Sequence, residues 1–255
     1  MSDIKVAIAD HVMVITLARA QKKNAITDAM YGDLANALSG AASDPEVHVA
    51  LIIAEGPDFC AGNDIGMFVE TVASGSDITR SNTAPFLAAL STFPKPLIAA
   101  VTGRAIGVGA TMLLHCDLVY VATDATLKFP FIDLALVPEA ASARLLPARV
   151  GHQRAFAIFA FTETLTGAGA VGLGLAYTAL PREQVADVAL NAAQLLAKKP
   201  PSALVAMKAL MRDTDAITQA IANETTAFVK QLASPEASAA FAAFAARSRS
   251  ASAKA

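Results

Sequence analysis

Charge is scarce in this chain. Only 16% of its 255 residues are Asp, Glu, Lys or Arg, and the formal net charge is -2. That balance supplies no basic face for nucleic acid and points away from any polyanionic partner, leaving a small molecule as the expected ligand. Cysteine is nearly missing too. Cys60 and Cys116 stand far apart, with no CxxC or Cys/His ligand spacing, which excludes a disulfide framework and a zinc site. No apolar run reaches the length of a membrane span, and the opening "MSDIKVAIADHVMVITLA" lacks a basic start followed by a long apolar core. A soluble, cytoplasmic protein without membrane partners is expected. The four histidines, His11, His48, His115 and His152, form no constellation, and no GxSxG elbow is present, so a serine hydrolase is not indicated. His115 falls within an apolar stretch, where a satisfied core histidine is the expectation.

Apolar side chains are plentiful, at 55%. A chain of this length can bury one sizeable core. With so few charges to cover a monomer's surface, some of that surface is expected to be shared between subunits.

The opening reads as two strands, "IKVAIAD" and "VMVITLA", turning around His11. Thr27 is an N-cap, and Met30, Leu34 and Leu38 recur at helical spacing until Gly40 and the "SDPE" break. "VHVALIIA" is a buried strand, "PFLAALSTF" a helix, and "KPLIAAVTG" another buried strand. "GRAIGVGATMLLHCD" reads as a glycine-rich turn entering an apolar helix, and "DLVYVATDATLKF" as further strand. Strand, small-residue turn and helix thus repeat, which predicts an α/β fold of stacked strand-helix units. The last third turns helical: Val185 to Leu195, Leu204 to Met211, Ile217 to Leu232, and a fourth helix from "SPEAS". Residues 1–197 are read as the core and 198–255 as a helical extension that packs on that core or on a neighbouring subunit.

Two small-residue turns, "CAGND" and "AIGVGA", each follow a buried strand and each open onto a helix start. Helix starts leave amides unpaired and carry partial positive charge, so the pair could bind an oxyanion through the N-H groups of Asn63 and Val108. Taken singly, Gly62, Gly107 and Gly109 need mean only tight turns or close packing. A dinucleotide fingerprint is the rival for "GVGATM", but its third glycine is missing.

"FCAGNDI", then "KPLIAAVTGRAIGVGATMLLHCDLVYVATDATLKFPFIDLALVP" and "RLLPARVG", resemble the crotonase (enoyl-CoA hydratase/isomerase) superfamily over nearly the whole chain. The resemblance implies a superhelix of stacked strand-strand-helix turns with a C-terminal helical trimerisation extension. It implies an acyl-CoA thioester as substrate, with coenzyme A entering as part of that substrate and no separate cofactor. It also implies a homotrimer or a dimer of trimers, and a role in fatty-acid or related acyl-CoA catabolism. The thioester oxygen would sit on the amides of Asn63 and Val108, where each preorganised donor can be worth roughly 2.7 to 4 kcal/mol.

Hydratases of that superfamily use two glutamates, whose places fall here on Thr111 and Phe131. Neither is a carboxylate, which puts ordinary hydration in doubt. Glu139, in "LALVPEAASARLLP", resembles the base of the peroxisomal type of enoyl-CoA isomerase, which moves a double bond from position three to position two. A bland alternative remains open: Pro138 at a first helical position and Glu139 in the first turn of a helix. Asp133 and Glu163 are weaker candidates for the base. For the coenzyme, the resemblance implies Lys22, Lys23 and Ala25 from "QKKNA", with Ala61, Asp64 and Ile65 from "AGNDI". It also suggests Arg247 in "FAARSR" as a phosphate ligand. An enoyl-CoA hydratase or another enolate-forming enzyme is the catalytic alternative, and an acyl-CoA-binding protein without turnover is the other.

Overall fold

A computed structural model describes residues 2–64, 66 and 81–252. Ile65 therefore lies outside the described residues, and of Arg247 only its helical backbone is described.

The chain opens with the hairpin β1 (Ile4–Ala9) and β2 (Val12–Leu17), whose Asp10-His11 turn takes φ of 50° and 62° at its two central residues. Two left-handed residues are what a two-residue hairpin turn requires, since they match the twist of the strands. Helix α1 (Asp28–Ser43) follows, with Thr27 accepting from the amide of Met30 as its N-cap, then β3 (Val49–Ala54), α2 (Thr83–Thr92) and β4 (Leu97–Val101). Next come β5 (Arg104–Ile106), the single turn α3 (Val108–Thr111), β6 (Leu118–Ala122) and β7 (Thr126–Lys128). Helices α4 (Ser142–Val150) and α5 (His152–Ala160), the short β8 (Leu165–Thr166), α6 (Gly167–Gly172) and β9 (Thr178–Leu180) complete the middle of the chain.

The strands divide between two sheets, ordered β1-β2-β3-β4-β6-β9 and β5-β7-β8. From β2 to β9 the larger sheet is parallel, and β3 and β4 are almost wholly buried, as strands covered on both faces must be. Two passes of the chain lay one strand in the large sheet and a second in the small sheet before turning toward a helix. Thus β4 leads to β5 and β6 to β7. After β3 the same path is kept by one residue, because Cys60 bridges in parallel to Ala105 of β5.

Helix α7 (Val185–Ala197) covers β3, β4 and β6, placing Val185, Ala189 and Ala193 at full burial. The remaining helices are α8 (Pro201–Met211), α9 (Thr214–Leu232) and α10 (Pro235–Ser252). They pack on the body of their own chain: Leu232, Ala237 and Phe241 join its core. Lys208 reaches Asp117 at 2.7 Å and the Lys95 carbonyl at 2.8 Å, and Arg212 donates to His115 Nδ1 at 2.6 Å. His115 is fully buried, with Nε2 2.7 Å from the Ala140 carbonyl, and burial beside Arg212 pushes its pKa down to about 3. It is the neutral core histidine expected.

One expectation and one open alternative are corrected by the structure. The apolar helix read in "GVGATMLLHC" is one α-helical turn followed by a 3-10 turn, Met112–His115, because the chain must re-enter the sheet at Leu118. The helix proposed to begin at Pro138 starts instead at Ser142, so Glu139 is no first-turn acid.

Candidate active site

Cys60 and Ala105 are parallel partners, each three residues before one of the two proposed donors. Equal steps from a shared register carry Asn63 and Val108 to the same end of the small sheet, side by side. Local bonding leaves their amides unspent among the described residues. The Ile26 amide donates to Gly62 O at 2.8 Å and the Asp64 amide to Ile26 O at 2.9 Å, passing over Asn63. Around Val108, Gly107 N-H is taken by Lys128 O, while Ala110 and Thr111 both donate to Gly107 O.

Bare backbone is a packing requirement here. A Cβ on Gly62, which has φ of 94°, would stand 3.0 Å from Ile106 O, and one on Gly109 would meet Cys60 Cβ and O at 2.7 Å. Only glycine lets the two turns close on each other at these points.

A cavity of about 440 Å³ opens at the pair, walled by Gly62, Asn63, Gly107 and Val108 on one side. Phe131, Leu134, Leu136, Phe228, Phe241 and Phe244 supply its apolar wall, while Lys128 and Asp133 bring charge to it. Phe131 is buried and tilts against Phe159 with ring centroids 6.5 Å apart, so this part of the wall is packed hydrocarbon. Three larger concavities lie elsewhere, two of about 800 Å³ at His11 and His48 and at Lys208 and Arg212, and one of about 580 Å³ at Gly151 and His152. None of them is walled by the glycine turns, so the smaller cavity is the candidate site.

Glu139 is half-buried in the loop that precedes α4, off the wall of this cavity. Its Oε1 accepts from Thr111 Oγ1 at 2.6 Å, and Thr111 ends the turn that Val108 begins. The base candidate is therefore anchored three residues from a donor candidate. Burial raises its pKa to about 7, against the opposing pull of the Thr111 hydroxyl. Its charge is close enough to help raise Tyr31 and Cys60, whose shifts come first from burial, Cys60 rising to about 12. The Tyr31 hydroxyl donates to Asn63 Oδ1, so the Asn63 side chain is occupied in holding the turn while its amide remains open. Past Glu139, Ala140 and Ala141 take φ of 58° and 56°. Left-handed backbone costs a residue with a Cβ roughly 1 to 2 kcal/mol, so something must hold this loop.

The segments expected to meet the coenzyme are laced together. Ala61 N donates to Lys23 O at 2.9 Å, and Arg19 Nη1 bonds both Ala25 O at 2.9 Å and Asp64 Oδ2 at 2.8 Å. Lys22 and Lys23 are exposed, whereas Asp64 is engaged by Arg19. The weaker acids stand apart from the donors' hydrogen bonds: Asp133 lies 3.9 Å from Lys128, and Glu163 lies 3.7 Å from Arg154.

Several residues here carry roles that sequence reading missed. Arg19 and the buried Asn24 organise the lysine loop, Asn24 donating to the carbonyls of Glu55 and Asp58 at 2.9 and 2.8 Å. Glu224 is buried on α9. Its sequence signal was available, since Ile217, Ile221, Glu224 and Phe228 share one helical stripe and a carboxylate interrupts an apolar face.

Known proteins resemble this chain in sequence and in fold. The family profile described as enoyl-CoA hydratase/isomerase matches residues 7–251. Among curated relatives, the 2,3-dehydroadipyl-CoA hydratase of Escherichia coli (strain K12) is 33% identical, covering 85% of this chain and 84% of that protein. The peroxisomal enoyl-CoA delta isomerase 3 of Mus musculus is 30% identical, covering 82% and 67%. Pseudomonas aeruginosa OdaA, a solved structure, superposes with a TM-score of 0.90 at 40% identity, covering 96% of this chain and 99% of that one.

Proposed function

The chain belongs to the enoyl-CoA hydratase/isomerase family, and from that membership we propose that it is an isomerase, converting 3-enoyl-CoA thioesters to 2-enoyl-CoA with Glu139 as its single acid/base. The observation that carries this reading is the setting of Glu139. Its carboxyl has a pKa raised to about 7 and a hydroxyl holding one oxygen, while Thr111 and Phe131 occupy the places where a hydratase would need its two glutamates. A base with a pKa near neutrality can both take and return a proton.

The thioester oxygen rests on the amides of Asn63 and Val108, and C2 of the acyl chain lies on the Thr111 side, toward Glu139. Glu139 removes a proton from C2; the electron pair spreads over the carbonyl, C2, C3 and C4 as a dienolate. The two amides hold the oxygen's negative charge. The protonated Glu139 then delivers its proton to C4, leaving the double bond between C2 and C3. No water enters, and the phenylalanine-rich cavity wall suits that requirement. The exposed Lys22 and Lys23 face the coenzyme's phosphates with Ala25 close by, and Ala61 lies at the adenine. Self-association into trimers belongs to the same reading, supported by Leu210 and Met211 of α8, which are 91% and 79% exposed.

A hydratase is the second reading, favoured by the similarity to the Escherichia coli enzyme. Turnover of a 3-enoyl-CoA and a 2-enoyl-CoA, measured side by side for the protein and its Glu139→Gln variant, separates the readings. Isomerisation that collapses in the variant, with little hydration, supports the proposal. Equal hydration by both proteins overturns it. Binding of the esters without turnover by either protein would favour a non-catalytic acyl-CoA-binding role.

A further inference from the structure

Helix α4 begins without a cap of its own. Its N-cap position is Ala141, in left-handed conformation, and no side chain from that position bonds the first turn. The missing acceptor comes from another helix. Glu224 of α9 reaches across and accepts the amide of Ala143 at 2.8 Å through Oε1. Only 9% of Glu224 is exposed, and its Oε2 and the nearby-in-sequence helix-start hydroxyl, Ser142 Oγ, are buried without a hydrogen-bond partner among the described residues. The loop that Glu224 closes runs through Glu139, Ala140 and Ala141, and it is fastened also by His115, bonded to Ala140 O, and by Thr111, bonded to Glu139.

We propose that Glu224 is a positioning residue, which caps α4 from α9 and so holds the left-handed Ala140-Ala141 step that aims Glu139. The assignment deepens the isomerase reading and rests on it for the consequence in turnover. A helix start left open in a buried setting is costly, and two left-handed alanines persist only when their surroundings fix them. Placing the cap on α9 ties the loop to a helix whose Phe228 helps wall the cavity, so base and cavity are located by one element. Burial raises the Glu224 pKa to about 8, with the charge of Glu139 contributing.

Glu224→Gln keeps an oxygen that can accept from Ala143, and Glu224→Met removes it at similar volume. The experiment measures three things on both variants and the parent protein: kcat and KM for a 3-enoyl-CoA, amide hydrogen exchange over 141–146, and the 13C titration of Glu139. In Glu224→Met, kcat is expected to fall at least about tenfold with KM little changed, as for a misaimed base, with faster exchange over 141–146 and a displaced Glu139 titration. Glu224→Gln restores all three toward the parent values. A Met variant that matches the parent in exchange and in the Glu139 titration overturns the positioning role, whatever the protein turns over. Equal losses in the Gln and Met variants overturn the cap as the cause. If the parent protein does not isomerise while the Met variant still shows both spectroscopic changes, the isomerase reading fails and the positioning role stands.

Discussion

Thr111 Oγ1 stands 2.6 Å from Glu139 Oε1, so the hydroxyl that ends the turn begun by Val108 donates to the candidate base. A hydroxyl cannot activate water as a carboxylate does. It can hold one oxygen of a carboxylate and favour its ionised form.

Replacing that hydroxyl tests the relationship directly. In Thr111→Val, Glu139 loses the interaction that lowers its pKa, so the ionisation seen in kcat/KM should move to higher pH. At neutral pH the rate should drop about tenfold or more, the scale of a lost hydrogen bond to a charged group. A pH-rate profile of parent and variant checks both effects.

Glu139 also predicts how activity and stability vary with pH. As the proposed base it must be ionised, so kcat/KM should rise through about pH 7. Stability runs the other way. The folded carboxyl binds its proton more tightly than the unfolded one, so this contribution is fully present below the ordinary value of 4.5 and is lost as pH rises through about 7. Glu139→Gln should therefore melt higher than the parent at pH 8, by at most on the order of 3 kcal/mol, with the gap closing toward pH 4. Thermal unfolding at the two pH values measures it.

Asn63 offers a separation of side chain from backbone. Its Oδ1 accepts the Tyr31 hydroxyl, while the proposed catalytic donor is its amide. Asn63→Ala leaves the buried Tyr31 hydroxyl unpaired and should destabilise the protein by about 1 to 3 kcal/mol. The kcat should fall far less than for a lost oxyanion donor, which costs about a hundredfold or more. Denaturant unfolding and turnover on the same samples distinguish the two roles.

The lysines of the coenzyme loop predict an effect on KM. Lys22→Ala should raise KM for acyl-CoA a few fold, with kcat unchanged, and raising salt should reduce the difference, because an exposed charge pair is screened. At Lys23, φ is 54°, so Gly is the substitution that removes the charge without straining the loop. Steady-state kinetics at two ionic strengths reads both variants.

Local pattern determined a good part of this molecule. The hairpin around His11, the Thr27 cap, the buried strands β3 and β4, and the late helices all follow from side-chain period and capping chemistry, which act between residues close in sequence. The small residues of "CAGND" and "AIGVGA" likewise announced close backbone approach. Only tertiary structure decided what those elements do to one another. The parallel partnership of Cys60 and Ala105 sets Asn63 beside Val108, a register between segments some forty residues apart that neither segment specifies alone. Glu139 read locally as a possible helix-start acid. Its loop conformation, its Thr111 partner and the Glu224 cap arise from α3 and α9 meeting it in space, and burial there, which no local pattern measures, raises its pKa.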